Sequence, residues 1–392
     1  MRAGLLNSLL GFEKSSVPIP VGPNLISNSG FGVWSNSTLE NVGDQISVSA
    51  IALGVCTTAD TEGLVVGKLV KFGAGGSTAN KVYEVTAVTA NTNFTIHDTS
   101  ISDETDVTCY EVTPGCVAAD ALAMDGWWKN AAATFADIWR EHTGTNIKAG
   151  NYYALKIQAN ESGQDRHGAW WPGPSGKGTD PVLLKRVAGK TMTFGAWVKC
   201  DTAACAYLGY TDIGGSTLVA KSSAHTGSND WEWLEMTFTV TASPSDFRVG
   251  FNLQIDTKIA YISQPILVFG SHIGQGNYQP IPGEFIPCEA QIQYTLPTAN
   301  TAVNVEAVYN GKVPKGARAL LLSTYGSNTA AGEYIYYSAG SSGIISYVLR
   351  FNVASQALEM QGIVILDSNG DYYLTVSDAD TTAYAQVKGV YV

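Results

Sequence analysis

Short segments in which apolar and polar residues alternate recur along most of the chain. In the two clearest segments every second residue is apolar, and these residues are Met192, Phe194, Ala196 and Val198 in the first and Leu234, Met236, Phe238 and Val240 in the second. A period of two is that of a β-strand with one buried face. Because turn residues separate many such segments, the pattern predicts an all-β protein. Residues 135–142 fit a helix as well as a strand, and we favour the strand.

The distribution of tryptophan divides the chain into segments that contain this residue and segments that lack it. All nine tryptophans lie between Trp34 and Trp233, and residues 41–118, which alternate in short strands, contain none of them. The simplest interpretation is that residues 24–40 and 119–290 form one β-sandwich. Residues 41–118 are then a small β-barrel inserted after the first strand of that sandwich.

Two proline-rich stretches mark further boundaries. Residues 17–23 read as a stiff linker, because proline fixes φ and removes a backbone donor. A second connector spans 279–287, and residues 291–392 predict a C-terminal β-sandwich of roughly seven strands. Residues 1–23 are therefore expected to be a terminal peptide and linker outside the folded domains.

The N-terminal peptide has a short apolar stripe, formed by Leu5, Leu6, Leu9, Leu10 and Phe12. It does not fit a signal peptide, because its apolar core is short and Glu13-Lys14 stand where a cleavage site would lie. A segment of this kind cannot bury its stripe alone. We interpret it as a docking peptide for another subunit, with a frayed terminus as the alternative.

Charge and cysteine content narrow the function classes. The net charge is −11 and no basic patch occurs, which disfavours nucleic acid and membrane surfaces as partners. No apolar run is long enough to span a membrane. The six cysteines form no Cys-x-x-Cys pair. Cys200 and Cys205 are close enough to pair across a hairpin, although six free thiols in a reducing cytosol is the favoured interpretation.

Four motifs in the central sandwich resemble the jelly rolls of the carbohydrate-binding-module superfamily, particularly those carried by phage tail and fibre proteins. The matching residues are Asn24, Leu25, Asn28 and Phe31; Asp125, Gly126 and Trp127; Gly189, Thr193, Phe194, Val198 and Lys199; and Trp231, Leu234, Thr237, Phe238, Thr239 and Val240. The resemblance covers under half of the chain and departs at the inserted residues 41–118. It implies a jelly roll and, in some relatives, a calcium ion whose ligands have no match here.

The string of β-modules and the early Asn-Leu-Ile-Ser-Asn opening look like phage fibres and adaptors, as does the segment at 313–319. This resemblance implies a structural virion component assembled in the host cytoplasm, with a share in recognising host surface glycans. The implied partners are other virion proteins through the N-terminus and further copies of the chain, for which a trimer is common among fibres. A head-decoration, collar or adaptor protein is the first alternative.

Sugar rings stack on flat indoles, so the tryptophans are the candidate glycan ligands. Trp197 and Lys199 are expected on the open face of the central strand, opposite the core. Trp128, Trp170 and Trp171 are expected in loops. The alternative is that these indoles fill the core or contact other subunits.

Asp367, Asn369 and Asp371 have the spacing of oxygen ligands in a calcium loop. The glycine of that loop is displaced, and a hairpin turn at Asn369-Gly370 explains the segment better. Asp137 with Glu141, or Asp201 with Asp212, would be the carboxylate pair of a glycan depolymerase. Because any acidic chain offers such pairs and no catalytic motif occurs, we expect surface carboxylates and no enzyme.

Overall fold

The computed structural model describes residues 23–61, 63–117, 123–129, 136–162, 168–172, 178–212, 218–281, 283–297, 300–341, 343, 345–378 and 382–392. The described chain is nearly all β, with several sheets and one closed six-stranded barrel, so the predicted fold class is confirmed. The apolar stripe at residues 5–12 lies outside the described residues. Among the described helices, none is long and apolar enough to cross a membrane.

The first unit is the inserted barrel. Its strands are β1 (Thr38–Asn41), β2 (Ile46–Ala52), β3 (Val55–Thr57), β4 (Leu69–Phe72), β5 (Val82–Thr89), β6 (Asn93–Ile96) and β7 (Glu104–Cys116). The order β7-β2-β3-β6-β5-β4 closes because β4 also pairs with β7. Ile46, Phe72 and Phe94 are among the apolar side chains that fill the interior.

The second unit is the jelly roll. It contains β8 (Trp128–Lys129), β9 (Ala136–Glu141), a 3₁₀ turn (Gly144–Asn146), β10 (Ala154–Ala159), β11 (Ala169–Trp171), α1 (Pro181–Val187), β12 (Thr191–Cys200), β13 (Ala206–Thr211), β14 (Ala220–Lys221), β15 (Trp231–Thr239), β16 (Arg248–Leu253) and β17 (Ile259–Phe269). One sheet has the order β15-β12-β17-β10-β9 and the other β14-β13-β16-β11-β8. We call them the front sheet and the back sheet.

The alternation predicted for β12 and β15 is confirmed, since all eight apolar side chains face the core between the two sheets. Residues 135–142, whose pattern fits both a helix and a strand, contain strand β9, although Phe135 lies outside the described residues. The front sheet continues into the barrel. Gly115 and Cys116 of β7 pair with Trp139 and Ile138 of β9, so the barrel is fixed to the edge of the front sheet.

Residues 24–37 are irregular but largely buried, where an opening strand was expected. The Asn28 side chain bonds the backbone of Gly32, Val33 and Asp125. Trp127 packs on Phe31, 5.4 Å between ring centroids, and closes one end of the sandwich. Asn28, Phe31, Asp125 and Trp127, from the first two motifs, therefore hold this end of the sandwich together.

The third unit is a sandwich of two four-stranded sheets, β18-β25-β20-β23 and β19-β24-β21-β22. Its elements are β18 (Phe285–Thr295), β19 (Thr301–Val303), α2 (Val305–Val308), β20 (Ala319–Ser327), β21 (Tyr334–Ser338), β22 (Ile345–Arg350), β23 (Ala357–Ile365), β24 (Tyr372–Val376) and β25 (Thr382–Tyr391). Val33 belongs to its core, which ties the N-terminal segment to this sandwich.

Buried polar contacts join the three units. Glu306, on α2, accepts hydrogen bonds from Arg140 of β9 at 2.5 Å and from the Tyr153 hydroxyl at 2.8 Å. Asn304, before the same helix, donates to Glu84 of the barrel at 2.7 Å. Because buried polar groups are costly to separate from their partners, these contacts fix the units relative to one another.

Candidate functional site

The back sheet carries three of the candidate tryptophans, and the structure corrects their expected place in loops. Trp170 and Trp171 lie in β11 and Trp128 lies in β8. Trp171 faces the core, and its indole nitrogen donates to the Ser27 hydroxyl at 3.2 Å. Trp170 points to the outer face of the sheet. Both Trp170 and Trp171 are only 1% exposed, so neither offers a flat ring to solvent.

Two glycines explain how Trp170 is buried on an outer face. A Cβ at Gly209 or Gly250 would lie less than 3 Å from the Trp170 ring, so the indole rests directly on the backbone of β13 and β16. Trp128 is half-buried, and the guanidinium of Arg248 lies 4.7 Å from the centroid of its ring. Trp170 and Trp171 are therefore covered by the protein itself, and Arg248 shields part of the Trp128 ring.

Asn252 lies on this same outer face, fully buried beside Gly209. Neither polar atom of its side-chain amide has a hydrogen-bond partner. An unpaired buried amide costs free energy, which makes it a conspicuous feature of the back sheet.

On the front sheet, Trp197 and Lys199 point away from the core, as expected, but they are not open to solvent. The ammonium of Lys148 lies 3.6 Å from the Trp197 ring centroid, and the indole is 6% exposed. Lys199 donates to the Thr145 carbonyl at 2.8 Å and to the Asn146 side chain at 3.1 Å. Residues 143–152 therefore lie across this part of the face and cover it.

Pairing places aromatic and lysine side chains alternately in one row across the front sheet. The row runs Trp231, Lys199, Tyr261, Lys156 and Trp139. Facing residues on adjacent strands have Cβ atoms about 5 Å apart, so the row is continuous. Trp139 and Tyr261 are half-buried and leave part of each ring accessible.

An open cleft of about 380 Å³ lies where the row meets the barrel, and we call it the junction cleft. Its floor includes Trp139, Lys156 and Tyr261 from the front sheet, and its opposite wall includes Lys68 and Glu111 from the barrel. The Trp139 ring packs over Gly115, where a Cβ would come within 2.6 Å of it. The volume is at the small end of the range for small-molecule sites.

The polar groups of the cleft suit uncharged hydroxyl ligands. Lys68 pairs with Glu111 at 2.7 Å, while burial raises the pKa of Glu111. Burial, with help from nearby Arg140, lowers the pKa of His142, so this imidazole is neutral at pH 7. Burial and nearby carboxylates raise the pKa of Tyr261 to about 12, so it keeps its hydroxyl proton. The cleft therefore combines aromatic surface with hydrogen-bond donors and acceptors.

No protein-family model matches the chain, and no curated protein matches it. Among solved structures it is similar to the N-terminal tandem CBM22 domain of Paenibacillus barcinonensis Xyn10C, at 10% identity and a TM-score of 0.27, over 70% of this chain and 97% of that chain. It is also similar to the C-terminal family 22 carbohydrate-binding module of Clostridium thermocellum Xyn10B, at 17% identity and a TM-score of 0.26, over 36% of this chain and 84% of that chain. Similarity at this level carries no argument about function.

The calcium candidates form a hairpin turn. The Asp367 carboxylate accepts the backbone N–H groups of Asn369 and Asp371, at 2.8 and 3.0 Å. The Asp371 carboxylate accepts the backbone N–H of Val305 at 2.9 Å. In these contacts both carboxylates accept backbone N–H groups, and the Asp367 contacts are those of a tight turn. Elsewhere in the described part of the chain, no group of three or more potential ligands is placed to hold a metal ion.

The carboxylate pairs considered for catalysis are separated. Asp201 is exposed beside Lys258, whereas Asp212 is buried and accepts the Thr241 backbone N–H. Asp201 directly follows β12 and Asp212 directly follows β13, a six-residue strand about 20 Å long. Asp137 accepts from Asn160, and Glu141 accepts two backbone N–H groups after β9. The six cysteines, all of which lie in the described part of the chain, form no disulfide bond.

Sequence reasoning missed Tyr261 and Lys156 and treated Trp139 only as part of an ambiguous segment. The signal was present in the outward positions of three separate strands. The site can be recognised only from the pairing register of the strands, which places Lys156 opposite Trp139 on one side and opposite Tyr261 on the other.

Proposed function

We propose that this chain is a non-catalytic carbohydrate-binding attachment protein, and that the junction cleft is its glycan site. The observation that carries the proposal is that Trp139 and Tyr261, both half-buried, line an open polar cleft on either side of Lys156, whose ammonium lies 5.0 Å from the centroid of the Trp139 ring. The two rings lie on β9 and β17, with β10 between them, and both face outward.

Each part of the cleft matches a part of a sugar. The apolar faces of a pyranose ring stack on indole and phenol rings, which supply contact area at little conformational cost. The hydroxyl groups then need donors and acceptors, which Lys156, Asn146 and Glu141 supply around the rings. Strands β9 and β10 position Glu141 and Lys156, and a 3₁₀ turn positions Asn146, which reduces the entropy lost on binding.

A glycan array on the purified full chain tests the proposal, followed by calorimetry with the best ligand. We expect Trp139→Ala to weaken binding at least tenfold, which corresponds to roughly 1.4 kcal/mol, and Trp139→Phe to restore most of it. Tyr336→Ala is the matched control, because Tyr336 is a half-buried aromatic on the far sandwich, stacked on Tyr334. Equal binding by Trp139→Ala and the control would refute the site.

We further propose that the protein acts in a phage appendage of the tail-fibre type, joined to other virion proteins through residues 5–12. The support is the sequence resemblance to phage fibre modules, together with the buried contacts that hold the three units together, as a part that transmits mechanical force requires. Immunogold labelling of the purified virion tests this assignment. Label on the head or collar would favour the decoration or adaptor alternative.

A further inference from the structure

The junction cleft is closed at both ends of the aromatic row, and that shape limits what it can bind. We propose that the cleft takes the terminal residue of an uncharged glycan and that the inserted barrel, together with residues 143–152, imposes this selectivity. The inference rests on the proposed function, because it names the ligand class of the same site. It follows from two blocked ends and from the charges of the walls.

Residues 143–152 block the row between Tyr261 and Trp231. The Lys199 ammonium donates to the Thr145 carbonyl and to the Asn146 side chain. Further along, Asn151 donates to the Ser263 hydroxyl at 3.0 Å and Gln264 donates to the Ala149 carbonyl at 3.1 Å. A long glycan therefore cannot continue past Tyr261 toward Trp231 without displacing Thr145 and Asn146 from Lys199.

The barrel blocks the row on the side of Trp139. β7 pairs directly with β9, and Glu40 of β1 packs with Trp139 over Gly115. Residues 42–44, Asp60 and Gly63 rise beside this edge and line the cleft. Without the barrel, the edge of the front sheet would be open and a polymer could run across it.

Charge on the walls disfavours acidic sugars. Four carboxylates line the cleft, those of Asp44, Asp60, Glu111 and Glu141. Lys68 is paired with Glu111, Arg140 is paired with buried Glu306, and His142 is neutral. Among the described residues that line the cleft, Lys156 is therefore the cation that remains to face a ligand. Its ammonium lies 5.0 Å from the Trp139 ring centroid, among carboxylates in a chain of net charge −11. A uronic or sialic acid would meet a repulsive potential there.

The effects of glycan length and of glycan charge on affinity are measured separately, starting from the glycan that binds best on the array. Calorimetry with oligosaccharides of two to six residues should give affinities within threefold of one another, because only the end is bound. The same glycan capped with sialic acid should bind at least tenfold more weakly. Affinity that rises more than tenfold with length, or equal binding of the capped glycan, would overturn the inference.

A charge variant gives an independent readout. Asp44→Lys should raise the affinity for the capped glycan at least threefold relative to the uncapped one. Asp103→Lys, at the far end of the barrel, should change neither the affinity for the capped glycan nor that for the uncapped one. No shift in that ratio for Asp44→Lys would contradict the charge argument. If no glycan binds, or if Trp139→Ala leaves the glycan affinity unchanged, the proposed function itself is refuted.

Discussion

Replacement of Arg140 by methionine should loosen the contact between the jelly roll and the C-terminal sandwich. The Arg140 guanidinium bonds Glu306 and the Gly311 carbonyl, and it lies 4.1 Å from the centroid of the Tyr153 ring. Methionine keeps the apolar stem but removes the charge. The Glu306 carboxyl then stays buried with the Tyr153 hydroxyl as its remaining partner.

The expected loss is large because the residual charge has no counterion. Breaking a buried ion pair by removing one partner costs about 3–5 kcal/mol. Burial already raises the pKa of Glu306, and the charge of Arg140 opposes that rise. Without the guanidinium, the pKa of this carboxyl in the folded state rises further above its unfolded value of about 4.3.

The sign of the pH dependence follows from linkage. A carboxyl whose folded pKa is raised binds its proton more tightly in the folded state, so the free energy of unfolding is highest below the unfolded pKa. It falls as pH rises toward the folded pKa, by up to about 1.4 kcal/mol per pH unit. The deficit of Arg140→Met relative to the wild type should therefore grow between pH 5 and pH 8.

Urea unfolding followed by tryptophan fluorescence measures this deficit, because all nine tryptophans lie outside residues 41–118 and 291–392. The curves report the stability of the jelly roll at pH 5, 6.5 and 8. Adding Glu306→Gln to Arg140→Met removes the buried charge and should recover most of the loss at pH 8. A deficit that is the same at every pH, or no rescue by Glu306→Gln, would refute the reasoning.

Two further predictions concern single buried groups. Asn252→Leu replaces an amide without partners by an apolar side chain of similar shape, so it should stabilise the jelly roll by roughly 1–3 kcal/mol. The melting temperature should rise by about 2–4 °C for each kcal/mol gained. A melting temperature below that of the wild type would contradict the assignment of Asn252 as an unpaired buried amide. Burial raises the pKa of Glu284 to about 7, so stability should fall as pH rises from about 4.3 toward 7. Glu284→Gln, whose side-chain oxygen still accepts the Asn28 N–H, should flatten that slope in melting curves recorded at successive pH values.

The fold class was predictable because strand periodicity and the distribution of tryptophan are local signals. The alternation of Met192, Phe194, Ala196 and Val198 requires one buried face, and the structure has it. The helix at Pro181–Val187 was missed, although Asp180 followed by proline is a recognisable start.

The candidate site was harder to predict because it depends on contacts between distant segments. Trp197 was placed on the correct side of β12, but sequence could not show that Lys148 would cover it. Trp170 lies over two glycines of neighbouring strands, a contact that depends on the register of β11, β13 and β16. Register is set by long-range pairing, and a shift of one residue would turn each side chain to the other face.

A crystal structure of the full chain with the best array ligand tests the central claim most directly. The account predicts one sugar ring against Trp139 and Tyr261, hydroxyl groups bonded to Lys156 and Glu141, and the rest of the glycan leading out to solvent. A sugar bound on the back sheet over Trp170 and Asn252, or one that displaces residues 143–152 to run along the whole row, would contradict it.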